Sequence, residues 1–443
     1  MPHALTEAAR RLLRSQGSVA SSAELQQQLG VSQPTVSRAL APLIQAGTVR
    51  KVGAARSQRY VLSREVAGVG REVPIVRIDA QGRAAPFARM LPLEGGAFWV
   101  DEADGVHARH DGLPWFLDDM RPQGFMGRTF AHAHPELQLG SDPQHWHDDD
   151  VLRALALFGD DLPGNLVVGE AAFQRLHTLA ERASRADSAA DYPRLADQAM
   201  QGTHPGSSAG GEQPKFCTVC AGRPVLVKFS PADDAPVAQR LRDLLVCEHL
   251  ALQTLAAAGV CAARTQIFTG AGRVFLESER FDRSVQAGRI GRIGMVSLQV
   301  YDAEYVGEMD NWAATARRMA ARQLLRPLDA DTLCLLEAYG VLIANTDRHY
   351  GNVSLLIDAD GDWALAPCYD MLPMLYAPVG NELVARDFAA RPLQPSAATL
   401  PFWDRARSLA RTFWQAVAND ARVSEGFRAV ARSNALCVAR LGA

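Results

Sequence analysis

Apolar positions near the start of the chain recur at helical spacing and then alternate. Leu5, Ala8, Ala9 and Leu12 mark one face of a helix over residues 4–16. Ser21-Ser22-Ala23-Glu24 has the Ser-x-x-Glu pattern of a capping box, opening a short helix through Leu29 that Gly30 ends. Ser32-Gln33-Pro34 starts a third helix, because proline is tolerated in a first turn. Val36, Leu40, Leu43 and Ile44 form its apolar stripe, which leaves Gln33, Thr35, Ser37 and Arg38 facing outward. Residues 48–52 and 58–62 read as two strands, joined by a basic tip that holds Arg56. Three helices followed by a hairpin predict a winged helix-turn-helix domain over residues 1–64.

The middle of the chain is less regular. Residues 74–78 and 97–100 read as strands, 111–117 as an apolar plug, and 121–124 as a turn. Six histidines (107, 110, 132, 134, 145 and 147) lie in polar surroundings, where a metal site and plain solvation are both open readings. Asp148, Asp149 and Asp150 have the simpler use of capping a helix over 151–158. Residues 183–204 read as a helix and a surface connection.

From Ser207 the pattern sharpens. Ser207-Ser208-Ala209-Gly210-Gly211-Glu212-Gln213-Pro214 is small and polar ahead of a strand that runs to Val219. Side-chain-poor backbone of this kind lets N–H groups approach phosphates closely. A second strand, 224–229, carries Lys228 among apolar neighbours; a phosphate-gripping lysine and a solvated edge lysine both fit there. The helix over 244–258 places Glu248 where a carboxylate could orient Lys228. A third strand, 274–279, ends in the run Glu279-Arg280-Phe281-Asp282-Arg283, whose backbone suits the edge of an adenine. The apolar helix 334–344 then breaks into Asn345-Thr346-Asp347-Arg348-His349-Tyr350-Gly351-Asn352. A hairpin turning at Asp360-Gly361 follows, and then a strand ending in Tyr369-Asp370.

Composition and charge narrow the classes. The chain has 443 residues, 48% apolar and 21% charged, room for two to four globular domains. It has no apolar run long enough for a membrane span and no secretory leader pattern, so a cytoplasmic protein without membrane contact is expected. Seven scattered cysteines argue for a reduced compartment, and Cys217 and Cys220 read as strand residues rather than half of a zinc site. The net charge of −3 conceals an asymmetry. Residues 1–64 hold nine Lys and Arg against Glu7 and Glu24, or +7, which leaves −10 on the rest. A basic helical domain with Gln33, Thr35, Ser37, Arg38 and Arg56 exposed suits duplex DNA, since these residue types read base edges and hold phosphates.

Asp347 and Asn352 are five apart, the spacing of the Asp and Asn in a kinase catalytic loop. Phosphoryl transfer to a hydroxyl needs a carboxylate to accept the hydroxyl proton. It also needs oxygen ligands for Mg²⁺, which Asn352 and Asp370 would supply. A small-molecule phosphotransferase, an inactive kinase fold serving as a regulator's sensor, and a Mg²⁺-dependent nuclease toxin share parts of this set.

These motifs together resemble the HipA family of bacterial Ser/Thr kinases, the toxin half of type II toxin–antitoxin pairs, from about residue 70 onward. The resemblance implies an α+β, two-lobed protein-kinase-like (HipA-like) fold, with an N-lobe over 70–278 and a mainly helical C-lobe over 279–443. It implies ATP and Mg²⁺ as cofactors. It further implies Asp347 as the base, Lys228 as the ATP lysine, Glu279 and Phe281 as the adenine hinge, and His349 and Tyr369 as nucleotide contacts. Ser208, beside Gly210 and Gly211, matches the family's autophosphorylated loop serine. A protein substrate, an aminoacyl-tRNA synthetase or another translation factor, and an antitoxin are the implied partners. The chain departs from the usual pattern by carrying its own winged helix, as in the stand-alone HipH type.

Overall fold

The computed structural model describes residues 2–53, 58–178, 185–201, 213–286, 289–357 and 361–441. The chain divides into two units, Met1–Pro122 with Pro135–Arg182, and Gln123–His134 with Ala183–Ala443.

In the first unit, helix α1 (Pro2–Ser15) is followed by strand β1 (Val19–Ser21), α2 (Ser22–Leu29), α3 (Gln33–Gln45), β2 (Val49–Val52) and β3 (Arg59–Leu62). Ser21 caps α2: its hydroxyl accepts from the Glu24 N–H while the Glu24 carboxylate accepts from the Ser21 N–H. Gly30 closes α2 in the left-handed region, φ 65°. The α1 seam differs from the predicted one. Ala9 and Leu13 are fully buried, Leu12 only partly, because the helix turns its contact face slightly past the predicted stripe. Strand β1 has three residues, too few for alternation to show in sequence; it pairs with β3, giving the sheet order β1-β3-β2.

A second antiparallel sheet follows, built from β4 (Val73–Ile78), β5 (Ala84–Pro92), β6 (Phe98–Glu102), β7 (His107–His110) and β8 (Leu166–Val168), in the order β7-β6-β5-β4-β8. Helix α4 (Gly124–Ala133) belongs to the other unit, while α5 (Asp148–Phe158) and α6 (Glu170–His177) lie by β8. The three aspartates that open α5 divide their labour. Asp150 accepts from the His147 N–H, Asp149 takes both Arg64 amino groups at 2.5 Å, and Asp148 binds Arg121 at 2.6 Å. Val52 of β2 and Val61 of β3 share an apolar cluster with Leu91, Leu93, Ala97 and Trp99. Thus the first 64 residues and this sheet are packed together.

The second unit holds a five-stranded sheet of β9 (Arg185–Ala186), β10 (Lys215–Cys220), β11 (Arg223–Phe229), β12 (Thr265–Gly270) and β13 (Arg273–Glu279), with helices α7 (Tyr192–Met200) and α8 (Pro236–Ala257). The order β12-β13-β11-β10-β9 puts β11 in the centre. Val225, Val227 and Phe229 face a core with Tyr192, Phe216 and Phe275. With the two-residue strand period, Lys228 points to the other face, toward α8. Cys217 and Cys220 lie within β10.

Beyond a hairpin, β14 (Arg283–Gln286) and β15 (Arg289–Arg292), come β16 (Met295–Ser297) and helices α9 (Leu298–Tyr305), α10 (Trp312–Ala321) and α11 (Pro327–Leu342). Helix α11 starts earlier than its apolar run because Pro327 sits at its first turn. Strands β17 (Ser354–Ile357) and β18 (Trp363–Leu365) complete a small sheet with β16, and α12 (Trp403–Asn419) and α13 (Glu425–Arg440) end the chain. Buried Tyr339, Phe413, Trp414 and Phe427 pack these helices, and the Trp414 indole donates to the Leu342 carbonyl at 3.0 Å. Among the described residues no helix is long and apolar enough to cross a membrane.

Candidate active site

Central strand β11 carries Lys228 into a buried position, so the solvated-edge reading of this lysine does not hold. Its ammonium donates to both Glu248 oxygens of α8, at 2.8 and 2.9 Å, and also to an Asp370 oxygen. Burial pulls the Lys228 pKa below its ordinary value, and the Glu248 carboxylate opposes this. The two carboxylates hold the buried Lys228 side chain in place.

Asp370 does not end a strand. Strand β18 stops at Leu365, and Asp370 lies five residues on in the left-handed region, φ 53°. Asx residues tolerate that conformation better than most. It turns the carboxylate toward Lys228 and the backbone carbonyl toward Asn345, whose amide donates to it at 3.4 Å.

Fully buried Asn345 also uses its side-chain oxygen, which accepts from the Asp347 N–H at 3.0 Å. The Asn352 amide donates to the Asp347 carbonyl at 2.9 Å. That bond leaves the Asn352 oxygen as its acceptor. His349 caps the 3₁₀ turn Tyr350–Asn352, its Nδ1 accepting from the Gly351 N–H at 3.1 Å. The ring proton then belongs on Nε2, which lies 3.9 Å from an Asp347 oxygen. The Trp312 indole donates to the His349 carbonyl at 3.1 Å and pins the loop from below.

The Phe281 and Tyr369 rings lie 5.6 Å apart, 35° between planes. The Tyr369 hydroxyl donates to the Gly351 carbonyl at 2.9 Å. At the strand end the Glu279 N–H is committed to the Arg264 carbonyl and the Arg280 N–H to the Pro224 carbonyl. The structure therefore brings Lys228, Asp347, Asn352, Asp370, His349, Tyr369, Phe281 and Glu279 into one unit. Ser208, Gly210 and Gly211 lie outside the described residues, as does Arg56.

Asn352 and Asp370 offer neutral and anionic oxygen donors, the set a hard cation such as Mg²⁺ takes. The Lys228 ammonium against Asp370 shows that this carboxylate already accepts a cation's charge. The residues fit the ion. Among the described residues no cluster of three or more His, Cys, Asp or Glu could hold a metal by itself.

Three participants escaped the sequence reading: Glu337, Gly340 and Arg348. The Arg348 Nε donates to Glu337 at 3.0 Å, and its Nη1 donates to the Asn345 carbonyl. A Glu and a Gly inside an apolar helix were the available signals, since a lone charge in such a run needs a buried partner and a lone glycine suggests close approach.

On α3, Gln33 and Arg38 are exposed, while Thr35 and Ser37 are half-buried, so the last two face outward less fully than the stripe predicts. Arg38 bonds the Pro34 carbonyl at 3.3 Å and the Thr35 hydroxyl at 3.4 Å.

Comparison with known proteins decides the family. Residues 69–177 match the family model "YjjJ-like toxin, middle domain", and 207–434 match "HipA-like C-terminal domain". The chain is 39% identical over 421 residues to Toxin YjjJ of Escherichia coli (strain K12), covering 93% of each. The chain belongs to the YjjJ-like family of HipA-type toxins. Among solved structures it is similar to HipA of Shewanella oneidensis MR-1, from a complex of HipA, HipB and operator DNA. That match has a TM-score of 0.50 and 13% identity over 82% of this chain and 95% of that one. A looser likeness, TM-score 0.35 and 13% identity over 51% of this chain and 89% of the other, is to the Helicobacter pylori proinflammatory kinase CtkA. As in the HipA of that complex, the fold mixes helices and sheets, and the candidate site sits in the HipA-like C-terminal region.

Proposed function

We propose that this YjjJ-like toxin is an ATP- and Mg²⁺-dependent protein serine/threonine kinase with its own DNA-binding domain at residues 1–64. One observation carries the reading: Lys228, clamped by Glu248, also reaches Asp370, while Asn345 joins Asp370 to the loop of Asp347 and Asn352. Lys228 would grip the nucleotide phosphates. The Glu279 carbonyl and Phe281 N–H would meet the adenine edge, with Tyr369 and His349 beside the nucleotide. Asn352 and Asp370 would hold Mg²⁺, which when bound offsets charge on the phosphate oxygens. Asp347 would accept the proton of the attacking hydroxyl.

Ser208, two residues before Gly210-Gly211 in the sequence, is the proposed autophosphorylation site. The charge of about −1.5 to −2 on its phosphate would weaken nucleotide binding by repulsion. Gln33, Thr35, Ser37, Arg38 and Arg56 are the proposed DNA contacts. A translation factor such as an aminoacyl-tRNA synthetase is the proposed substrate class, and an antitoxin a partner to look for.

Labelled ATP incubated with the purified chain and cell lysate tests the chemistry. Asp347→Asn removes the proton acceptor and keeps the shape, so transfer is expected to fall about 100- to 10,000-fold with nucleotide affinity and melting temperature held. Transfer equal to wild type would remove Asp347 from the role.

A further inference from the structure

We infer that Glu337 and Arg348 form a buried brace that sets the distance between Asp347 and Asp370; the inference rests on the kinase reading of those two carboxylates. The Glu337 carboxylate is buried on α11, and its Oε2 has no hydrogen-bond partner among the described residues. Half of a buried carboxylate left unpartnered is costly, and the compensation is on the other oxygen, which takes the Arg348 Nε at 3.0 Å.

Arg348 stands next to Asp347, and its side chain turns back onto the helix rather than out toward substrate. Gly340 makes the path: a Cβ there would lie 2.6 Å from the Arg348 Cδ. With its Nε anchored on Glu337, Arg348 gives its Nη1 to the Asn345 carbonyl. The Asn345 N–H in turn bonds the Gly340 carbonyl at 2.8 Å. The Asn345 side chain then spends its oxygen on the Asp347 N–H and its amide on the Asp370 carbonyl. A continuous chain of contacts thus runs from helix α11 through Arg348 and Asn345 to the backbone of both aspartates, the Asp347 N–H and the Asp370 carbonyl. A lysine has one charged nitrogen and no fork, so it cannot hold Glu337 and the Asn345 carbonyl in the same way.

Glu337 and Arg348 are positioning residues; neither meets the reacting atoms. In-line transfer depends on sub-ångström placement of the acceptor and the metal ligand, whereas grip on the nucleotide depends on Lys228 and the hinge. The brace should therefore act on kcat and on Mg²⁺ dependence, and little on ATP binding.

The test uses the full chain, below the melting point of each variant. Arg348→Lys and Glu337→Gln are compared with wild type for turnover of Mg-ATP, for binding of a fluorescent ATP analogue, and for the Mg²⁺ concentration giving half-maximal turnover. The expected result is a kcat lowered at least tenfold, a raised Mg²⁺ requirement, and analogue affinity within about threefold of wild type. The double variant should lose little more than either single one, since both break one chain of contacts. Variants that keep wild-type kcat overturn the brace alone. Variants that lose analogue binding in step with kcat also overturn it, because that is the pattern of general misfolding. A wild-type chain that binds the analogue but transfers no phosphoryl group overturns the kinase reading and the catalytic brace with it.

Discussion

His249 follows Glu248 on α8, and its buried ring pairs through Nδ1 with the Thr265 hydroxyl at 2.9 Å. Burial, helped by the nearby Arg422 charge and opposed by Asp420, lowers its pKa from 6.5 to about 4. The unfolded chain takes up this proton near pH 6.5, and the folded one refuses it until about pH 4. Stability from the neutral ring is therefore whole above pH 6.5 and drains away as pH falls toward 4, by about 3 kcal/mol at most. His249→Gln keeps a polar partner for Thr265 and removes the titration. Urea unfolding from pH 7 to 4 should show a shallower loss of stability in the variant; an identical slope would put the acid sensitivity elsewhere. At this scale the sequence was most readable where one charge interrupts an apolar run. Lys228 within residues 224–229 and Glu248 within 244–258 stand out in that way. Arg348 does not, because it sits in a polar loop, and only the fold shows that its side chain turns inward.

At the scale of elements, α11 and the loop after it act as one piece, and Gly340 is where they touch. Glycine inside a helix costs about 1 kcal/mol relative to alanine. Gly340→Ala would recover that much, but its methyl would fall 2.6 Å from the Arg348 Cδ. Displacing a side chain from a packed site costs about 1–3 kcal/mol, so the net loss of stability is about 2 kcal/mol at most while the loop moves. The expected outcome is a melting temperature within a few degrees of wild type and a kcat lowered at least tenfold. Unchanged kcat would mean that Arg348 yields without disturbing Asp347. Periodicity made some long elements legible: α1, α3 and the apolar parts of α8 and α11 announce themselves by apolar spacing, whereas α12 and α13 escaped the sequence reading. It could not reveal β1, with three residues, or the true place of Asp370. Residues 366–370 are apolar enough to look like strand, yet their backbone leaves the sheet and ends in a left-handed turn. Caps carried more boundary information than periodicity, as Ser21, Glu24 and Gly30 show around α2.

Across the whole molecule the sharpest revision concerns charge. The excess of +7 in residues 1–64 suggests nine cations aimed at a polyanion, yet four of them already serve the neighbouring sheet and helix. Arg10 and Arg14 share Glu94, Arg50 pairs with Glu72 at 3.2 Å, and Arg64 holds Asp149 through both amino groups. Exposed ion pairs contribute little to stability, but these lie beside a shared apolar cluster that keeps the partners together. The cations outside these pairs are Arg11, Arg38, Lys51 and Arg59, and Arg56, which lies outside the described residues, is counted with them to set an upper limit. Each phosphate neutralised adds about −0.9 to the slope of log affinity against log salt. Five cations set a limit of about −4.5, against about −8 if all nine reached the backbone. The full chain titrated with a mixed-sequence duplex at several salt concentrations should give a slope no steeper than the first value. Glu94→Gln with Asp149→Asn frees three arginines and should steepen it. A wild-type slope near the second value would mean that the ion pairs open on DNA, and a flat one would remove DNA from the function of this domain.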